Sequence, residues 1–167
     1  MPNRLDGSLY LRNVIFGITD SLVSTVGLLS GIGASGATGH TVILTGIVYA
    51  FVESFSMAVG SFLSEAAGED YALKKDAPYG RPFVGGLVMF ASFILASFIP
   101  IGPYLFLNAS SALFASIGVS IAALFLVGYV SARLSKTSVL RHGARMALLG
   151  GFAIVIGVIV GRFADGI

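Results

Sequence analysis

The chain contains no cysteine and no tryptophan, and only 11% of its 167 residues are charged. Without cysteine, a disulfide framework, a zinc knuckle and thiol chemistry are all excluded. About a quarter of the residues of a soluble domain are charged, so the scarcity of charge excludes that class of protein. Hydrophobic residues instead make up 56% of the chain, and its mean hydropathy is +0.93. The composition predicts an integral membrane protein.

Signatures of catalysis and of nucleic-acid binding are also missing. The chain has no Gly-rich phosphate loop, no nucleophile elbow and no pair of histidines at metal-ligand spacing. Its pI near 9.1 does not indicate a nucleic-acid partner, because Lys and Arg cluster between apolar segments, where membrane topology requires them. We therefore expect neither an enzyme nor a nucleic-acid-binding protein.

Five apolar stretches are long enough to cross about 30 Å of hydrocarbon as helices. The predicted spans are Val14–Ala34, Thr41–Ala67, Pro82–Pro100, Ala109–Ser131 and Ala144–Arg162. Pro100, Gly102 and Pro103 are predicted to end the third span, because proline cannot donate a backbone hydrogen bond. Residues 1–12 are predicted to form either a short interfacial helix or a plain tail. The sequence thus predicts one all-α transmembrane domain.

The distribution of basic residues predicts the orientation of the domain. Only Arg162 lies on one side of a five-span bundle. The other nine Lys and Arg residues lie on the opposite side, at Arg4, Arg12, Lys74, Lys75, Arg81, Arg133, Lys136, Arg141 and Arg145. The positive-inside rule places the N-terminus in the cytoplasm and the C-terminus outside or in a lumen. The membrane is either a prokaryotic cell membrane or a vacuolar or other organellar membrane.

The six tyrosines are predicted to form the interfacial aromatic belt in place of tryptophan. They are Tyr10, Tyr49, Tyr71, Tyr79, Tyr104 and Tyr129.

Two carboxylates lie inside the first two spans, at Asp20 and Glu53, and neither span contains Lys or Arg. An ionisable group at membrane depth costs at least about 2.5 kcal/mol and is a functional candidate by default. At 1.5 Å per residue, Asp20 lies about 9 Å and Glu53 about 10–18 Å from the cytoplasmic boundary. Burial and mutual repulsion both oppose two neighbouring negative charges. Such a pair can therefore exchange a proton for a cation.

Met57 follows Glu53 by one helical turn. A hard carboxylate oxygen beside a soft thioether favours a transition-metal ion as the ligand. Asp20, Glu53 and Met57 are therefore the predicted metal-binding residues. The alternative for Met57 alone is that it fills the protein core.

Small and polar residues form one stripe on each of the first two spans when they are drawn as helical wheels. The stripe positions predicted to line the ion path are Ser24, Gly27, Gly60 and Ser61. The bulky residues predicted to face lipid are Leu22, Val26, Leu29, Phe51, Phe55 and Phe62. The alternative is that the stripes are ordinary helix-packing surfaces.

Acidic residues continue towards the cytoplasmic end of the second span. Glu65 and Glu69 are predicted to form an acidic mouth that concentrates cations at the entrance. The equally weighted alternative is a solvated helix end balanced by Lys74 and Lys75.

The stretch from Gly17 to Gly27 (GITDSLVSTVG), followed by SMAVG from Ser56 to Gly60, resembles the vacuolar iron transporter family. The resemblance covers nearly the whole chain. It implies a five-span homodimer that exports iron or manganese from the cytosol in exchange for protons, without a resident cofactor. It also implies a metal path between the subunits, lined by the first and second spans, with Asp20 on the family's first-span aspartate.

The chain departs from the family pattern at three places. Ser21 stands where glycine is usual, and Ser61 stands where an acidic residue is common. The link Gly68–Arg81 is far too short for the long acidic cytoplasmic metal-binding domain of characterised members. The chain therefore resembles a short member of the family that lacks this domain.

Two other functions compete with metal export. A small dimeric exporter of organic cations would pair Glu53 with its substrate, but it would need an aromatic-lined pocket. A non-transporting membrane subunit would use Asp20 and Glu53 only to bond helices together.

Overall fold

The computed structural model describes residues 4–165, and within this range it contains five α-helices and no strand. The helices are α1 (Arg4–Ala34), α2 (Gly39–Leu73), α3 (Gly80–Phe106), α4 (Ala109–Leu134) and α5 (Val139–Asp165). Each is long and apolar enough to cross a membrane. The predicted class of all-α membrane protein is therefore confirmed. Of the predicted interfacial helix at 1–12, the first three residues lie outside the described range, and the remainder is continuous with α1.

Helix α1 lies at the centre of the bundle and packs against all four other helices. Leu22 and Val26 are fully buried, and Leu29 is 1% exposed. The prediction that these residues face lipid is wrong, because a central helix buries its bulky face as well as its small one. The peripheral helix α2 does expose Phe51 and Phe55, as predicted.

Glycines bring α1 and α5 into backbone contact. A Cβ atom on Gly157 would collide with the Gly27 backbone, and a Cβ on Gly161 would collide with the Gly31 backbone. Both helices thus present glycines four residues apart, the spacing that lets membrane helices approach closely. Gly27, predicted to line the ion path, lies at this packing surface.

Helix α3 does not end at Pro100 and Pro103 but continues to Phe106. Each proline removes only one backbone donor, a loss that membrane helices tolerate. The Ser116 hydroxyl donates to the Pro100 carbonyl at 2.7 Å and ties α4 to α3 at this turn, and the Leu107 N–H donates to the Pro103 carbonyl at 3.0 Å and closes the last turn of α3. The predicted end of the third span is therefore wrong.

The link between α2 and α3 comprises only residues 74–79 and is fixed by side chains of α2. Lys74 ends α2 with a left-handed φ of 55°. Asp70 Oδ1 accepts a hydrogen bond from the Ala77 N–H at 2.7 Å. The Phe62 ring packs against Tyr79 with 6.0 Å between centroids, so Phe62 contacts protein rather than facing lipid alone. We call the end of the bundle that contains this link and the α4–α5 link the basic end.

Candidate cation site

Asp20 of α1 and Glu53 of α2 are both half-buried and lie within electrostatic range of each other. The two helices run antiparallel, which brings these carboxylates to a common level. Ser24 lies one turn after Asp20, and its hydroxyl donates a hydrogen bond to the backbone carbonyl of Asp20 at 2.6 Å. The two carboxylates predicted from sequence therefore lie near each other, and we call them the carboxylate pair.

Tyr49 is a third polar group at this pair, which sequence reasoning missed. Its side chain lies close to Ser24, Asp20 and Glu53. Its ring packs against Phe93 of α3, with 6.4 Å between centroids. Tyr49 therefore contacts polar and aromatic groups inside the bundle. The available signal was its position one turn before Glu53.

A groove of about 590 Å³ begins one turn from the pair and runs towards the basic end. Met57 lines this groove, as do the predicted path positions Gly60 and Ser61. The remaining lining residues are Arg12, Asn13, Phe16, Ser56, Ser64 and Met89. Asp20 and Glu53 do not line it. The carboxylate pair and the thioether thus occupy successive levels along α1 and α2.

Met89 of α3 brings a second thioether to the groove. It is 4% exposed and packs against the backbone of α1, where a Cβ on Gly17 would lie 3.2 Å from its sulfur. Nothing in the sequence distinguishes Met89 from a core methionine, because its helix contains no polar stripe. The groove therefore combines two soft sulfur atoms with hydroxyl and amide groups.

One face of α2 is polar or small and yet exposed in the single chain. Ser56, Gly60 and Ser64 are all exposed, and a Cβ on Gly60 would meet no atom within 4 Å. A lipid-facing surface is normally apolar, as Phe51 and Phe55 are on the neighbouring face. This polar face is suited to water or to another protein surface.

Glu65 does not lie at a solvated helix end. Helix α2 continues for two more turns, and the Glu65 side chain is 5% exposed at the junction of α1, α2 and α3. Glu69 is only half-exposed and forms an ion pair with Arg81 at 3.2 Å. The alternative of a solvated acidic end is therefore wrong for Glu65, and an entrance role stays a prediction for both residues.

Among the side chains that the structure describes, at positions 7–164, no three His, Cys, Asp or Glu residues come together as a metal-binding cluster. The described carboxylates of a single chain are therefore too few at any one place to coordinate a metal ion by themselves. Any metal bound here must also use thioether, hydroxyl or carbonyl ligands, or ligands from a second chain.

The amino-acid sequence matches a known protein family. The model of the VIT family matches residues 11–78 and 68–162. The two matched segments overlap at residues 68–78, which include the end of α2 and most of the α2–α3 link.

Relatives match along most of their length. An uncharacterized protein of Methanocaldococcus jannaschii is 27% identical over 92% of this chain and 89% of its own length. Vacuolar iron transporter homolog 5 of Oryza sativa subsp. japonica is 28% identical over 86% of this chain and 74% of its own. Vacuolar iron transporter 1 of Arabidopsis thaliana is 22% identical over 86% of this chain and 81% of its own. That last alignment has 203 positions, more than this chain has residues, so it includes gaps.

Proposed function

Because this chain belongs to the VIT family, we propose that it exports a divalent transition metal, Fe²⁺ or Mn²⁺, from the cytosol in exchange for protons. Transport makes it a secondary transporter rather than an enzyme. The family membership and the five membrane-spanning helices support transport of metal across a membrane.

The observation that carries the proposal is the pairing of Asp20 with Glu53 between two membrane helices. A divalent cation neutralises both negative charges, and protons can replace it without leaving a net charge in a poorly solvated place. Tyr49 and Ser24 supply oxygen atoms beside the pair. The pair can therefore hold either a metal ion or protons, which is the requirement of an exchanger.

The thioether of Met57 gives the site a preference for transition metals. A thioether binds Fe²⁺ better than it binds Ca²⁺ or Mg²⁺, which prefer oxygen ligands. The ion passes the groove that Met57 lines before it reaches Asp20 and Glu53, one turn deeper. The Met57 thioether therefore selects which metal ion passes, and the Asp20 and Glu53 carboxylates balance the positive charge of that ion.

The exposed polar face of α2 supports a homodimer. The hydroxyls of Ser56 and Ser64 would meet hydrocarbon in a single chain, and transfer of a hydroxyl to an apolar environment is unfavourable. A second copy that covers this face encloses the groove and doubles the set of ligands. The path then runs between the subunits and is lined by α1 and α2.

Metal uptake into proteoliposomes tests the function. We expect uptake of Mn²⁺ or Fe²⁺ by the unchanged protein and its loss in Asp20→Asn and in Glu53→Gln. The matched control is Asp76→Asn, which removes one exposed carboxylate from the α2–α3 link. Normal uptake by both membrane variants would overturn the proposal.

A further inference from the structure

Glu65 is a buried carboxylate that the proposed exchange does not use. Its side chain is 5% exposed, and a Cβ placed on Gly85 of α3 would overlap its carboxylate. Its Oε2 atom is buried and has no hydrogen-bond partner among the described residues. An unsatisfied buried oxygen of a charged group costs at least about 1–3 kcal/mol. A carboxylate that served only to bond helices would not be left in this state.

The amide of Asn13 gathers three oxygen atoms around one point. Its Nδ2 lies 2.7 Å from Glu65 Oε1, 3.1 Å from Ser61 Oγ and 3.1 Å from the Gly85 carbonyl. The Ser61 hydroxyl also donates to Glu65 Oε1 at 3.1 Å, so both donors bond the same carboxylate oxygen and Oε2 is left without a hydrogen-bond partner among the described residues. Three convergent oxygens in a nearly dry place are the environment that a hard cation requires.

The cluster opens onto the groove that leads to the carboxylate pair. Asn13 and Ser61 both line this groove, at the end opposite Glu53. Arg12, which also lines it, lies 3.7 Å from Glu65 Oε1, although its side chain is 68% exposed. An exposed guanidinium at this distance neutralises the carboxylate and can still move away when another cation arrives.

We propose that these groups form a second, oxygen-lined cation site, where a divalent ion rests before it reaches Asp20 and Glu53. The ligands are the Glu65 carboxylate, the Ser61 hydroxyl, the Gly85 carbonyl and the Asn13 amide oxygen, turned towards the ion. Arg12 holds the carboxylate when the site is empty. This inference rests on the proposed function. The site would load metal into the path, a step that the cytoplasmic domain is expected to perform in longer members of the family.

The ligand class of the site differs from that of the deeper one. All four ligands are oxygen atoms, so the site accepts Mn²⁺ and Fe²⁺ but discriminates weakly against Mg²⁺ and Ca²⁺. Selection then occurs at the thioethers Met57 and Met89, after loading.

Two variants that break the same ion pair test the proposal through opposite effects. Initial rates of Mn²⁺ uptake are measured in proteoliposomes with metal added at the basic end. Glu65→Gln should raise KM at least about tenfold, as loss of a group at a metal site does, and leave the maximal rate nearly unchanged. Arg12→Gln should lower KM, because it removes the competing cation. A purely structural ion pair would shift KM in the same direction in both variants, and that result overturns the proposal.

Two exposed charges of the α2–α3 link, Asp76 and Lys75, provide the matched controls, because they lie at the same end but outside the groove. Asp76→Asn and Lys75→Gln should leave KM unchanged, so any general effect of surface charge on KM is detected. Electron paramagnetic resonance of Mn²⁺ bound to the purified protein separates this inference from the proposed function. If Glu65→Gln and Glu53→Gln each lose a different class of bound Mn²⁺, both sites exist even without transport. Equal binding by Glu65→Gln and the unchanged protein overturns the second site alone.

Discussion

The Asn13 amide of α1 donates a 2.7 Å hydrogen bond to the Glu65 carboxylate of α2, across 52 positions of sequence. This bond joins the two helices that carry Asp20 and Glu53, and it does so at the edge of the groove. The junction is thus both a structural contact and the position of the proposed loading site.

Replacement of Asn13 separates these two roles. Asn13→Leu removes the donor and should lower the free energy of unfolding by about 1–3 kcal/mol, because Glu65 loses a buried partner. Asn13→Asp places a second carboxylate beside Glu65 and should be similarly destabilised, but added Mn²⁺ should restore its stability. Thermal unfolding with and without Mn²⁺ measures both effects. Equal responses of the two variants to Mn²⁺ would contradict a cation site at this junction.

The two groove methionines should determine metal selectivity. Met57→Leu and Met89→Leu keep side-chain volume, so they should fold normally, yet each should reduce the preference for Fe²⁺ over Ca²⁺. Competition of Ca²⁺ against Fe²⁺ uptake provides the measurement. Met146→Leu is the control, because its sulfur lies at Thr19, away from the groove. Unchanged selectivity in Met57→Leu would remove the thioether from the mechanism.

The contact between α1 and α5 should be sensitive to volume. Gly157→Leu forces a side chain into the Gly27 backbone and should destabilise the protein by about 1–3 kcal/mol. Gly151→Leu lies on the same helix, where a Cβ meets nothing within 4 Å, and it should have little effect. Thermal unfolding of both variants checks this. If the two variants unfolded at the same temperature, the backbone contact between these helices would not be important for stability.

The exposed face of α2 should be an interface between subunits. Gly60→Leu fits within the single chain, because nothing surrounds its Cβ position, but it should reduce the fraction of dimer and metal uptake together. Gly118→Leu on α4 is equally open and should leave both unchanged. Light scattering of the purified variants gives the oligomeric state. A fully dimeric Gly60→Leu variant would place the interface elsewhere.

The helices were predictable because a membrane span is defined by local composition, but the packing of each face was not. A helical wheel shows which residues share a face, yet it does not show how many helices surround it. Leu22 and Val26 therefore lie in the core rather than in lipid. Pro100 and Pro103 gave a local signal for a helix end, yet α3 continues past both prolines to Phe106.

The carboxylate pair was predictable in part, since Asp20 and Glu53 are conspicuous in apolar segments. The burial of Glu65 was not, because its partners Asn13 and Gly85 come from two other helices, far away in sequence. Met89 and Tyr49 were missed for the same reason. Their roles depend on neighbours that only the three-dimensional arrangement supplies.

The measurement that tests the central claim most directly is metal-driven proton movement in proteoliposomes that contain a pH-sensitive dye. The unchanged protein should move protons when Fe²⁺ or Mn²⁺ is added, and Asp20→Asn and Glu53→Gln should each abolish this flux. Asp76→Asn, on the exposed link, should retain it. Normal metal-dependent proton flux in both membrane variants would contradict an exchange of metal for protons at the Asp20–Glu53 pair.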